Sequence, residues 1–359
     1  MIPYRQAGLE ANAILQLAEL LIPGVDYLPG KGGDSVDRPS SEVIDWLAEG
    51  DPWTRYWTRR ELLGESPSSP ELKALGDGVA KHPLISGLAE EVIAVPWPPI
   101  RNHRSAGHPL HKLAFLADLI PDPSSLGLGT VIEHILASPS GEGPFNLLAI
   151  EFGKKSERVA IGTWMLCDAP LVLSSLVRFG YGEDRRVERA ATHLLGLVRD
   201  NGFPCAVSSA SKGFHGPGSR KDPCPYANLL MLQLMAQKEA WRDSHASRTA
   251  AETLLQLWSQ SRERHPYLFH MGTDFRKLKM PYIWYDILHL ADVLTRFSWL
   301  RGDERLREVL TVIESKADRE GRYRPESVWQ DWEGWDFGQK KQASRWMTLS
   351  AYRTLARLD

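Results

Sequence analysis

Cysteine is scarce here, with three residues in a chain of 359. An odd count with no C-x-x-C spacing excludes a disulfide framework and fits a reducing compartment, so a cytoplasmic location is expected. Long apolar runs are missing too. No stretch approaches the roughly 18 residues of a membrane span, so no membrane insertion is expected, and Met1-Ile-Pro-Tyr-Arg5 does not read as a signal peptide. Charge of one sign is also lacking: 43 Lys and Arg face 45 Asp and Glu, for a net charge of −2. With no basic run, neither nucleic acid nor an anionic membrane is an expected partner. Tryptophan, in contrast, is abundant, with thirteen residues. The cluster Trp329, Trp332 and Trp335 reads either as core packing or as the wall of an apolar cavity.

Beyond composition, the sequence repeats. Leu176-Val-Arg-Phe179, Asp184-Arg-Arg-Val187 and Asp200-Asn-Gly202-Phe203 return as Leu294-Thr-Arg-Phe297, Asp303-Glu-Arg-Leu306 and Arg319-Glu-Gly321-Arg-Tyr323. Asp184 to Asp303 and Gly202 to Gly321 are each 119 residues, and Gly143 lies 59 residues before Gly202. A fixed period near 59 residues implies one supersecondary unit stacked many times.

Each unit holds two helices of different character. Val187, Ala190, Ala191, Leu194, Leu195 and Val198 form one apolar stripe, with Arg185, Arg186, Glu188 and Arg189 opposite. Leu306, Val309, Leu310 and Ile313 repeat that stripe, so this helix has one wet side and lies outside. The other helix is apolar nearly all round, as in Asn228-Leu-Leu-Met-Leu-Gln-Leu-Met235 and Ile287-Leu-His-Leu-Ala-Asp-Val-Leu294, and lies inside. Inner helices are expected near Pro52, His111, Pro170, Tyr226, Tyr285 and Ser344, at steps of 59, 59, 56, 59 and 59. Asp51-Pro52 supplies an N-cap and a proline at N1. The last inner helix, 344–358, and an amphipathic N-terminal helix, 6–21, each lack a partner. Their pairing would close the chain into a single all-α domain over residues 1–359, an (α/α)6 toroid with a central cavity. An open solenoid is the alternative.

Six helical hairpins with Gly-aromatic turns (Gly143-Pro-Phe145, Gly202-Phe203, Gly321-Arg-Tyr323) resemble the α/α toroid of terpenoid cyclases and protein prenyltransferase β subunits. Gly202-Phe-Pro-Cys205, Cys224-Pro225, Pro281-Tyr-Ile-Trp-Tyr-Asp286 and Ser344-Arg-Trp-Met-Thr-Leu349 are similar to bacterial proteins described as prenyltransferase-like or squalene-cyclase-like. The likeness covers most of the chain after Asp51. It is specific for fold and weak for reaction, since one toroid hosts several chemistries.

In such a ring the inner helices begin at one end, and the residues at their first turns surround one mouth. These are His108 and His111, then Trp164, Cys167 and Asp168, then Cys224, then Trp284, Tyr285 and Asp286, then Lys340, Lys341, Ser344, Arg345 and Trp346, with Cys205 on the same side. The resemblance implies zinc at this end, held by Asp, Cys and His. Cys167, Cys205 and Cys224 are the candidate ligands, completed by Asp286 or a histidine. Against this, free cysteine is a common buried residue, and the family's Asp-x-Cys pair is replaced by the reversed, adjacent Cys167-Asp168.

Asp286, Asp168 and Tyr285 are the catalytic candidates. A carboxylate opening a buried helix is a general acid in a dry cavity or simply a cap. Trp164, Trp284 and Trp346 would shape the cavity. Arg345, Lys341, His108 and His215 would contact substrate, His215 from a basic loop over 208–223 that reads as a lid or as an ordinary solvated loop. Arg101-Asn-His103-Arg104 is a second basic loop on the same side. His289 is expected to be a hydrogen-bonded core histidine.

The Asp-rich motifs D-x-D-D and D-D-x-x-D, which serve protonation and diphosphate binding in terpenoid cyclases, are absent. The expectation is therefore an enzyme acting on a small, largely apolar, isoprenoid-like ligand, with metal assistance as a candidate feature. The alternatives are a glycan-processing hydrolase or lyase using Asp168 with Asp286 or Glu333, and a non-catalytic lipid- or peptide-binding toroid.

Overall fold

A computed structural model describes residues 38–152, 158–211 and 219–358, all within one compact unit. The helix expected over 6–21, its pairing with 344–358, and His215 lie outside the described residues. The described chain is mostly helical: α1 Ser41–Ala48, α2 Pro52–Trp57, α3 Pro70–Ala80, α4 Pro83–Ile93, α5 Pro109–Leu119, α6 Gly129–Leu136, α7 Ala169–Leu176, α8 Arg185–Leu195, α9 Pro225–Met235, α10 Glu239–Arg242, α11 His245–Ser259, α12 Ile287–Leu294, α13 Glu304–Glu314 and α14 Arg345–Leu355. Among the described residues no helix is long and apolar enough to cross a membrane.

Two kinds of helix are present, as the pattern requires. Every residue of α7, α9 and α12 is buried. On α8 the buried face is Val187, Ala190, Ala191 and Leu194, and on α13 it is Leu306, Val309, Leu310 and Ile313. Leu195 and Val198 are half-buried, and Val198 falls beyond the end of α8. The buried helices neighbour one another in the order α2, α14, α12, α9, α7, α5. Trp57, at the end of α2, donates its indole N–H to the Leu119 carbonyl at the end of α5, 2.7 Å away. Amphipathic α8, α11 and α13 pack on α7, α9 and α12. Helix α14 packs on α1 as well as on α2 and α12.

The repeat has a hydrogen-bond basis. Asn228 on α9 accepts from the Phe203 N–H at 2.9 Å, while the Cys224 N–H donates to the Phe203 carbonyl at 2.8 Å. One double period on, Thr348 on α14 accepts from the Tyr323 N–H at 2.9 Å, and the Ser344 N–H donates to the Tyr323 carbonyl at 2.9 Å. Each aromatic turn is thus tied to the start of the buried helix that follows it. Gly143, Gly202 and Gly321 hold φ of 123°, 101° and 76°, a region that L side chains rarely occupy. The repeated glycine is a backbone requirement.

One feature departs from the expectation, and one open alternative is resolved. The fold is not purely helical: β1 Leu147–Phe152 and β2 Arg158–Thr163 form an antiparallel pair, with Leu147 opposite Thr163 and Phe152 opposite Arg158. Both runs are rich in apolar and β-branched residues, and each is too short and unpatterned for an amphipathic helix. Ile100 joins the edge of β1, donating its N–H to Leu148 at 2.8 Å and accepting from Ile150 at 3.0 Å. The tryptophan cluster, for its part, is core packing. Phe115 of α5 lies with its ring 4.9 Å from Trp332 and 5.0 Å from Trp335, and Trp332 donates to the Ala106 carbonyl at 3.0 Å. These rings fill space between buried helices.

A Cβ at position 202 would sit 2.6 Å from both Asn228 Oδ1 and Thr253 Oγ1, besides being strained by its φ. Gly202→Ala should therefore lower unfolding free energy by about 3 kcal/mol, whereas Gly272→Ala, with open space around it, should stay near wild type. Urea titration of the two variants compares them directly.

Candidate functional site

The polar groups of interest gather where the buried helices begin. Residues 98–104 are anchored by Ile100 on β1, which carries His103 toward the start of α7. The Leu166 N–H donates to the Ala206 carbonyl at 3.0 Å, and Pro204 bridges Pro223. These pairings bring the segments holding Cys167, Cys205 and Cys224 side by side.

His103 is the centre of the group. Its Nδ1 lies 2.8 Å from Asp168 Oδ1, with the Cys167 thiol beside the same ring. Asp168 occupies the N-cap position of α7 yet makes no side-chain cap. Its carboxylate is turned to the imidazole instead. Burial works against a charged His103, but Asp168 and Cys167 outweigh it and hold the imidazolium well above the ordinary histidine range. The next two histidines behave differently. His111 is pushed down to about 4, by burial first, and donates Nε2–H to the His103 carbonyl at 2.9 Å. His108 caps α5 by accepting from the Leu110 N–H at 3.1 Å, with Nε2 donating to the Pro98 carbonyl at 2.8 Å. Both its ring nitrogens are engaged, so it builds the turn that supports His103.

The cysteines form two sets. Cys167 is buried and its thiol is raised by that burial, partly opposed by His103. Cys205 and Cys224 face each other. Cys205 is the more acidic thiol, favoured by the Cys224 hydrogen bond against burial, and Cys224 the less acidic. Among the described residues no three His, Cys, Asp or Glu side chains are disposed to hold a metal ion. Cys167, Cys205 and Cys224, the expected zinc ligands, accordingly do not make such a cluster.

Above this group lies an aromatic lip. The Trp284 ring stacks on Phe269 at 5.3 Å and meets Tyr226 at 4.5 Å, with the Arg104 guanidinium 5.7 Å from its centre. Lys279 stands 3.2 Å over Trp329, its ammonium disfavoured by burial. The Tyr226 hydroxyl donates to the Ile283 carbonyl at 2.8 Å. Tyr285 is buried between Phe269 and Phe275, and burial drives its phenol well up.

Asp286 serves as a cap. It accepts from the His289 N–H at 3.0 Å, and burial pushes its carboxyl up to about 7. The remaining expected site residues lie elsewhere. Trp164 donates to Glu142 at 2.8 Å and packs edge-on to His193. Trp346, in the first turn of α14, is buried against Phe115. Arg345 donates to the Trp46 carbonyl at 2.8 Å and pairs with Glu49, which ties α14 to α1. Lys341 is exposed in the turn built on Gln339. The group therefore unites Asp168 and the cysteines with Trp284 and His103. The sequence places His103 on this side as part of a basic loop, and the pairing with Asp168 is what the structure adds.

No protein-family model matches this chain, and no curated protein matches it at a significant level.

The raised carboxyl of Asp286 has a signed consequence. Its folded pKa of about 7 exceeds the unfolded value of 3.8, so the stability it contributes is complete below about pH 4 and is lost as pH rises through about 7. Asp286→Asn keeps an N-cap without the charge. Relative to wild type, its stability should improve by up to about 4 kcal/mol between pH 4 and pH 8, read as the difference in urea midpoints at each pH.

Proposed function

We propose that the chain is an α/α-toroid enzyme that performs acid–base chemistry on a largely apolar, isoprenoid-like molecule with an anionic end. The order of the buried helices, with Trp57 linking α2 back to α5, supports a ring of six inner helices. In this reading the residues at their first turns share one mouth.

One observation carries the proposal: the His103–Asp168 pair sits beside an aromatic lip that also bears Arg104. Asp168 fixes the ring and favours its proton, so His103 is the general acid of this reading. Phe269 and Trp284 offer ring faces to an apolar chain and to positive charge developing on it, with Tyr226 packed behind Trp284. Arg104 supplies a planar cation suited to a carboxylate or diphosphate. Asp286, already spent as a cap, has a structural role here, and Tyr285 shapes the wall.

Isothermal titration with farnesyl diphosphate, paired with extraction and mass analysis of products, tests this reading. Arg104→Ala should weaken binding by about tenfold. His103→Gln should leave binding within about threefold while lowering product formation by about 10²- to 10⁴-fold. A folded wild-type protein that binds neither farnesyl diphosphate nor farnesoic acid would overturn the reading.

A further inference from the structure

The opposite ends of the buried helices carry a second polar group. Arg178 pairs with Asp118, and Asp292 receives both Arg296 and Arg357 at 2.9 Å. Arg353 pairs with Glu61 at 2.5 Å. Cations at helix C-termini complement the dipole, which accounts for part of the arrangement. Among the described residues, four guanidinium groups nevertheless face three carboxylates, a local surplus of positive charge.

A small cavity opens beside this network, lined by Tyr282, Trp346, Ser350, Arg296 and Arg353, with the paired Asp118 and Asp292 also on its wall. It offers about 20 Å³, room for one water-sized or halide-sized species. Trp346 is 2% exposed, and its Nε1 is buried with no hydrogen-bond partner among the described residues; the Tyr282 hydroxyl is likewise unpartnered. An indole N–H can only donate, and a phenol is a good donor. Unmatched donors beside surplus arginine define a place for negative charge. Burial and then the guanidinium groups of Arg296, Arg353 and Arg357 disfavour charge on Arg178, with Asp292 opposing them. An anion would relieve that repulsion.

We propose that this cavity binds a single chloride-sized anion through Trp346 Nε1–H and Tyr282 Oη–H, with Arg296 and Arg353 supplying the charge. Polyatomic oxyanions exceed the space. Tyr282 also stacks on His289, centroids 4.9 Å apart, and His289 meets the Trp284 carbonyl at 3.2 Å. The anion therefore pins the segment that delivers Trp284, Tyr285 and Asp286 to the other end of the helices.

The test exchanges gluconate for chloride at fixed ionic strength, up to about 200 mM, while melting is followed. Wild type should gain about 3 °C in Tm with saturable dependence, and a bromide-soaked crystal should show an anomalous peak in the cavity. Tyr282→Phe keeps the ring stack and should flatten the chloride dependence. A Tm indifferent to chloride, a dependence retained in Tyr282→Phe, or a wild-type crystal without a bromide peak at this position would each overturn the proposal. Trp346→Phe is a supporting variant, and its failure to fold would leave the Tyr282 and bromide results decisive.

Discussion

A helix buried on every side cannot hand its end groups to water, and that constraint organises this protein. The first N–H groups and last carbonyls of α7, α9, α12 and α14 need partners inside the fold. At the beginnings, Asp286 caps α12 and Ser344 caps α14, while α7 and α9 have no side-chain cap and each carries a proline in its first turn; Asn228 and Thr348 hold the N–H groups of the preceding aromatic turns. At the ends, arginines reach the carbonyls, as Arg296 and Arg357 both do at Asp292. The two polar ends therefore differ in kind. One is rich in carboxyl, thiol and imidazole groups, the other in guanidinium.

That constraint also explains what was legible in the sequence. The glycine spacing was readable because the backbone needs positive φ at Gly143, Gly202 and Gly321, and the stripes of α8 and α13 were readable because one face must stay wet. Placement of the inner helices followed from the same period. The β1–β2 pair escaped because it is a local insertion that obeys no repeat. The central tryptophans were ambiguous for a different reason: Trp332 and Trp335 meet Phe115 across more than two hundred residues, and no local pattern encodes that contact.

The candidate site was half legible. Asp168 and the three cysteines follow from helix starts, so counting along the period places them near one another. Their chemical roles depend on His103, which arrives on a loop held by Ile100 against β1. Arg345 lies at the expected helix start but on another face. One residue along α14, a rotation of about 100°, decides whether a side chain faces inward, as Trp346 does, or toward α1, as Arg345 does.

Helix α12 joins the two ends most directly. Asp286 stands at its start and Asp292 within its last turn, one carboxyl raised by burial, the other held ionised by arginines despite it. His289 lies between them and is lowered to about 4, again by burial first. A neutral imidazole has one N–H to give. Its Nε2 lies 3.0 Å from Gln233 Oε1 and its Nδ1 3.2 Å from the Trp284 carbonyl, both acceptors, and burial outweighs what a second N–H would gain there. The neutral histidine therefore keeps the central turn of α12 free of charge and leaves charge only at the two ends, where it has partners or work to do.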